Sequence, residues 1–122
     1  MSGKVLIVED DPDIGRLIGL KLKRAGLDPV FAADAVTAVT IARKEDPDVV
    51  LIDLGLPGGG GLVVIERMRT MPHLGMKPVI VISANEPVEA ERQALEAGAV
   101  AFFSKPIDLD GLVEAIRAQL GE

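Results

Sequence analysis

Five short apolar runs, separated by segments of helical spacing, constrain the fold of this chain more than any other feature. The runs are Lys4–Val8, Pro29–Ala32, Val49–Ile52, Pro78–Ile82 and Val100–Phe103. Nearly unbroken apolarity, rather than alternation, is the pattern of a strand buried on both faces. Between them, Ile14, Leu17, Ile18 and Leu22 recur at helical spacing, as do Leu109, Leu112, Val113, Ile116 and Leu120. Shorter stripes run through Ala35–Val39–Ala42, Leu62–Ile65–Met68 and Ala90–Ala94–Ala97. Asp11-Pro12 reads as an N-cap followed by a first-turn proline, and Gly26 stands where a glycine ends that helix. Asp34 and Asp108 are placed to cap the second and fifth helices, and Gly98 to close the fourth. Strict strand–helix alternation predicts a parallel sheet with right-handed crossovers and helices on both faces, a five-stranded, three-layer α/β sandwich.

At 122 residues the chain reads as one domain, 1–122, large enough to bury a core. No apolar run approaches the ~20 residues of a membrane span and no charged-then-apolar leader opens the sequence, so a soluble cytoplasmic protein is expected, with no membrane partner. Cysteine is absent, which removes disulfides, thiol catalysis and thiolate metal sites; the single His73 builds no zinc site alone. A net charge of −6 opposes direct binding of nucleic acid, a polyanion. Without Trp or Tyr, and with three Phe, little is available for a flavin or base-stacking platform.

Open α/β sheets bind ligands beyond the carboxyl ends of their strands, so the residues that end the apolar runs carry the functional information. These are Glu9, Asp10 and Asp11 after the first run, Asp53 after the third, Ser83 after the fourth, and Ser104, Lys105 and Pro106 after the fifth. The second run ends in alanines, as for a strand outside the site. Two carboxylates ~4–5 Å apart repel by about 4 kcal/mol at an effective dielectric near 20. Glu9, Asp10 and Asp53 carry −3 and Lys105 offsets one unit, leaving −2, which a divalent cation balances. All-oxygen ligands without His or Cys select a hard ion, Mg²⁺ or Mn²⁺. Carboxylates, a lysine and a hydroxyl around such an ion suit phosphoryl transfer, with Asp53 as nucleophile, Lys105 pairing with one phosphoryl oxygen and Ser83 donating to another.

Over essentially its whole length the sequence resembles the receiver domain of bacterial two-component response regulators. The resemblance rests on Val5-Leu-Ile-Val-Glu-Asp-Asp11, Val50-Leu-Ile-Asp53 with Pro57 and Gly61 following, Val81-Ile-Ser-Ala84 and Phe103-Ser-Lys-Pro106, in that order. It implies a flavodoxin-like strand order 2-1-3-4-5 and phosphorylation of Asp53 by a histidine kinase or a histidine phosphotransfer protein. It implies Mg²⁺ held by Asp10, Asp53 and the backbone carbonyl of Gly55, with Glu9 acting directly or through water. Ser83 matches the family's switch hydroxyl, Phe102 its switch aromatic, and the bond before Pro106 its cis peptide. Further implications are an output domain or target protein as partner, and a monomer or a phosphorylation-dependent dimer. The sequence departs from the family pattern at Gly55 and Asn85, two residues beyond Asp53 and Ser83, where other side chains tune phosphoryl lifetime. Its glycine-rich loop Gly55–Gly61 lacks an acidic residue before the last glycine and is expected to be loose.

Each signal has a plainer reading. Glu-Asp-Asp before a helix is by itself capping chemistry, Lys105 alone an ordinary surface lysine, Phe102 core packing, and His73 a loop residue without a role. Only the set of strand-end residues taken together argues for function. The glycine run is followed by no Gly-Lys-Ser/Thr, and acidic residues stand where a dinucleotide loop would follow the first strand. Gly15 and Gly19, i and i+4 on the first helix, each cost about 1 kcal/mol against alanine. Tolerance is one explanation; a shallow docking face at Ile14, Gly15 and Leu17 for a partner's helix is the other. The reading is therefore a signalling switch, not a metabolic enzyme. An aspartate-nucleophile phosphatase needs a second Asp where Gly55 stands, and a flavin carrier needs aromatics and a hydroxyl-rich first loop. A receiver-like scaffold acting by protein–protein interaction without phosphorylation is the alternative.

Overall fold

The computed structural model describes residues 3–56 and 60–122. Ten elements alternate: β1 Lys4–Val8, α1 Pro12–Arg24, β2 Asp28–Ala32, α2 Ala35–Glu45, β3 Val49–Asp53, α3 Gly60–Arg69, β4 Val79–Ser83, α4 Pro87–Glu96, β5 Ala101–Ser104 and α5 Leu109–Gln119. All four strand pairings are parallel and the order is β2-β1-β3-β4-β5, as the resemblance implied.

Successive strand residues point to opposite faces, and each face has its own core. Leu6, Val8, Val50, Ile52, Val79 and Val81 pack against α2, α3 and α4 through residues such as Ala38, Ala42, Ile65, Met68 and Ala94. Val5, Ile7, Val49, Leu51, Ile80 and Ile82 pack against α1 and α5 through Ile18, Leu22, Leu112 and Ile116. The three central strands are therefore apolar on both sides, which is why they read as unbroken runs. Edge strand β2 exposes Asp28 and half-exposes Phe31, and it accommodates Pro29, a residue with no N–H to give to a ladder.

The helix ends follow their capping residues. The Asp11, Asp34 and Asp108 carboxylates accept first-turn N–H groups, and Gly26 and Gly98 adopt positive φ of 83° and 94°. Several boundaries differ from the sequence expectation. The Pro78 carbonyl accepts from Val50 N–H, but proline cannot donate in return and β4 starts at Val79. β5 starts at Ala101, with Val100 half-exposed before it. β3 and β4 each run one residue further than their apolar stretch, ending on Asp53 and Ser83. Leu17 shares the helical spacing of Ile14, Ile18 and Leu22 but is 56 % exposed, unlike buried Ile18 and Leu22. Pro57 and the centre of the glycine loop lie outside the described residues.

One glycine fixes the approach of α3 to the site strand. A Cβ on Gly61 would lie 2.5 Å from both the Asp53 carbonyl oxygen and Ile52 Cγ2, whereas one on Gly15 would meet nothing within 4 Å. Both are helical, so alanine's better propensity favours each equally. Gly61→Ala should cost about 1–3 kcal/mol through backbone displacement, and Gly15→Ala should add about 0.5–1 kcal/mol. Urea denaturation checks both; equal effects would contradict this packing.

Candidate phosphoacceptor site

Four strands deliver polar side chains to the carboxyl edge of the sheet. Glu9 continues the ladder past β1, its N–H donating to the Ala32 carbonyl at 3.0 Å, and its side chain is buried. Asp53 and Ser83, the last residues of neighbouring strands β3 and β4, are buried as well. Lys105 follows β5 and is held by its own N–H, which donates to the Ser83 carbonyl at 2.9 Å; the Lys105–Pro106 bond is cis. Asp10 is exposed at the rim.

Every oxygen of the two buried carboxylates has a donor. Lys105 Nζ bridges them, 2.7 Å from Glu9 Oε1 and 3.0 Å from Asp53 Oδ2. Asp11 N–H donates to Glu9 Oε2 at 3.2 Å, and Gly55 N–H to Asp53 Oδ1 at 2.9 Å. Such satisfaction is what makes two buried acids tolerable side by side. It does not remove the electrostatic cost. Burial pushes the Glu9 carboxyl up to about 7, with Lys105 opposing the shift and Asp53 adding to it. At Lys105 burial lowers the pKa, but the two carboxylates outweigh it and hold the ammonium above its ordinary value.

Glu9, Asp10 and Asp53 each offer an oxygen, and these lie within 4.8 Å of one another. This is the one such cluster among the described residues. One lysine against three carboxylates leaves negative charge in a partly buried place, and the donors are hard oxygens without nitrogen or sulfur. On both counts the residues fit a divalent ion of the Mg²⁺ class.

The remaining sequence-predicted residues divide between this edge and its surroundings. Ser83 Oγ accepts from Asn85 N–H at 3.0 Å, which leaves its own O–H free to donate elsewhere. Phe102 is half-buried and packs on the α2–α4 side of the sheet. Ile14, Leu17, Ile18, Lys105, Pro106 and Leu109 line a groove of about 460 Å³ between α1 and the β5–α5 connection. Gly15 does not belong to it: Gly15 faces a separate hollow of about 490 Å³ bounded by Asp10, Arg16, Phe31 and Thr37. Gly19 faces the same way, and a Cβ there would fall 2.6 Å from the Phe31 ring. Gly19 thus makes room for an aromatic from β2, Gly15 borders open space in the same hollow, and neither forms one face with Ile14 and Leu17. The bridging of Glu9 and Asp53 by Lys105 was not foreseen as such; the three-to-one excess of acids over bases at the strand ends was its only signal.

A parallel sheet of order 2-1-3-4-5 with carboxylates, a hydroxyl and a lysine at its carboxyl edge defines a receiver of phosphoryl signals. The response regulator receiver domain profile matches residues 5–117, and the chain belongs to that family, a signalling switch of two-component systems. It is 32 % identical over 120 residues to sporulation initiation phosphotransferase F of Bacillus subtilis, covering 98 % of this chain and 95 % of that one. It is 31 % identical over 117 residues to the DNA-binding dual master transcriptional regulator RpaA of Synechocystis, covering 96 % of this chain but 48 % of that protein, so the chain spans about half that relative's length. The crystal structure of a putative response regulator from Chloroflexus aurantiacus superposes with a TM-score of 0.94 at 29 % identity, each chain fully covered. No described helix is long and apolar enough to cross a membrane.

The raised Glu9 pKa has a signed consequence. Without metal the folded protein holds this proton more tightly than the unfolded chain, so Glu9's contribution to stability falls as pH rises from about 4.5 to about 7. In carboxyl-detected NMR of the metal-free protein Glu9 should titrate near 7, and Mg²⁺ should lower that midpoint by favouring the ionised form. An ordinary carboxylate midpoint without metal would contradict the described geometry.

Proposed function

We propose that Asp53 accepts a phosphoryl group from a phosphohistidine of a histidine kinase or histidine phosphotransfer protein. The observation that carries this reading is the placement of Asp53 at the end of β3, with Lys105 Nζ 3.0 Å from its carboxylate and Glu9 and Asp10 beside it. In the transfer a carboxylate oxygen of Asp53 attacks phosphorus, the new O–P bond forms, and the P–N bond to the donor imidazole breaks with its electron pair leaving on nitrogen. Such transfer demands positioning and charge neutralisation more than covalent chemistry from the protein. Lys105 is already poised between Glu9 and Asp53. A short swing of its flexible stem brings the ammonium to a phosphoryl oxygen, while Ser83 donates its free O–H to another. Glu9, Asp10, Asp53 and the Gly55 carbonyl would hold Mg²⁺, which when bound neutralises charge on the transferring group.

The phosphorylated site then draws Ser83 toward phosphate and lets Phe102 repack, a shift between two populations rather than a new fold. Hydrolysis returns the domain to its starting state. Gly55 has no side chain between solvent and the Asp53 carboxylate, to which a Cβ at that position would come within 3.6 Å of Oδ1. This favours a short phosphoryl lifetime. Output passes to a target protein or to a domain of a longer protein, as the RpaA similarity suggests.

Incubation with acetyl phosphate and Mg²⁺, followed by intact mass, should show one added phosphoryl group that does not form when EDTA is present from the start and is absent in Asp53→Asn. Lys105→Ala should lower the labelling rate at least tenfold while the protein remains folded, because no other base reaches the carboxylate pair among the described residues. Labelling of Asp53→Asn to the wild-type extent would overturn the assignment and favour a receiver-like scaffold.

A further inference from the structure

We propose that helix α1 is a self-complementary surface through which two copies of this chain pair antiparallel about a two-fold axis, whether or not Asp53 is phosphorylated. The inference is independent of the phosphoacceptor reading, and its failure would leave that reading intact. It starts from Leu17 and Leu20, which are 56 % and 48 % exposed on a helix whose inner face is already satisfied by Ile18 and Leu22. At 3.6 residues per turn, Asp13, Leu17, Leu20 and Arg24 fall within about 60° of one another, centred opposite the buried face. All four are exposed. Neither Asp13 nor Arg24 makes an ion pair among the described residues, although other charges on this surface do, such as Lys21 with Asp110 at 2.6 Å.

The order of these residues selects the partner. Asp13, Leu17, Leu20 and Arg24 are spaced four, three and four apart, a sequence of intervals that reads the same from either end, with opposite charges at the two ends. An antiparallel second copy therefore sets Leu17 against the partner's Leu20, Leu20 against the partner's Leu17, and each Asp13 against an Arg24. A parallel pair would oppose Asp13 to Asp13 and Arg24 to Arg24. Intervals of four and three also make a seam of the kind that packs helix on helix, and the two-fold arrangement is isologous, so it closes at the dimer. The antiparallel alignment also pairs the helix dipoles favourably.

The same surface limits the affinity. Arg16 and Lys23 lie on one flank and meet like charges across the seam, and each copy carries a net −6. Two helices of 13 residues bury less than the ~1,000 Å² of a durable interface, so a dissociation constant on the order of 10⁻⁴–10⁻³ M is expected. Leu17 also walls the groove beside Lys105 and Pro106. Pairing through α1 would therefore cover one rim of the Asp53 site and compete with any partner that docks there.

Sedimentation velocity or NMR diffusion from about 10 µM to about 1 mM should show a concentration-dependent dimer. Asp13→Arg and Arg24→Asp should each abolish it, since each variant then opposes like charges at both ends of the seam. Mixing the two variants should restore association at least tenfold over either alone, because the introduced arginine meets the introduced aspartate and the native Asp13 meets the native Arg24. Restoration on mixing cannot arise from misfolding. Wild-type protein that stays monomeric at the highest concentration would overturn the proposal, as would single variants that still pair or a mixture that does not.

Discussion

Two carboxylates buried side by side repel, and the architecture of this domain at its carboxyl edge is a response to that repulsion. Glu9 directly follows β1 and Asp53 ends β3, which are neighbours in the sheet, so the register that pairs Val8 with Ile52 brings the acids together. Lys105 comes from the opposite edge strand and reaches across to both. Its ammonium and the Asp11 and Gly55 N–H groups satisfy all four carboxylate oxygens, yet the balance stays negative once Asp10 is counted. The raised Glu9 pKa expresses the same tension in protonation. A proton, a divalent cation, or a rearranged lysine can each relieve it, and a site with three ways to settle its charge is suited to switching.

The fold was legible because the sheet is parallel and central. Strands β1, β3 and β4 are covered on both faces, so their apolar runs are unbroken, and Asp11, Asp34 and Asp108 mark the helices that follow β1, β2 and β5. Legibility failed where tertiary contacts set the outcome. Leu17 fits the helical stripe of α1 by spacing, but that face is turned to solvent. Gly15 and Gly19 look like weak points of a helix, and only the position of the Phe31 ring on edge strand β2 shows what Gly19 makes room for. The N-cap of α4 is Glu86, whose carboxylate accepts from Val88 and Glu89 N–H groups; glutamate is a poor capping signal in sequence, and only Pro87 marked the helix start. Arg69 is a further case. Its guanidinium donates to the carbonyls of Gly75, Lys77 and Gly98, tying the α3–β4 and α4–β5 connections together, and no local pattern announces a contact across 29 residues.

The site was legible for a different reason. Topology places every strand's carboxyl end on one edge, so reading the residues that end the apolar runs amounts to reading the site. What that reading lacked was the pairing: Lys105 was assigned to a phosphoryl oxygen, and in the structure it spans the carboxylates that such a group would join. The two uses are compatible: the long side chain that bridges the carboxylates would, in the proposed transfer, turn to a phosphoryl oxygen. The outward face of α1 stands apart from this logic. It touches the site only where Leu17 walls the groove beside Lys105, and it is described by its own symmetry of spacing and sign.

The convergence of Glu9, Asp10 and Asp53 on one hard ion is tested most directly by titrating Mn²⁺ into isotope-labelled protein and mapping paramagnetic broadening of the amide signals. The account predicts broadening centred on Glu9, Asp10, Asp53 and Gly55, displaced by excess Mg²⁺ and lost when Asp53 is replaced by asparagine together with Asp10. Broadening centred instead on the acidic surface of α4, or none at all, would contradict it.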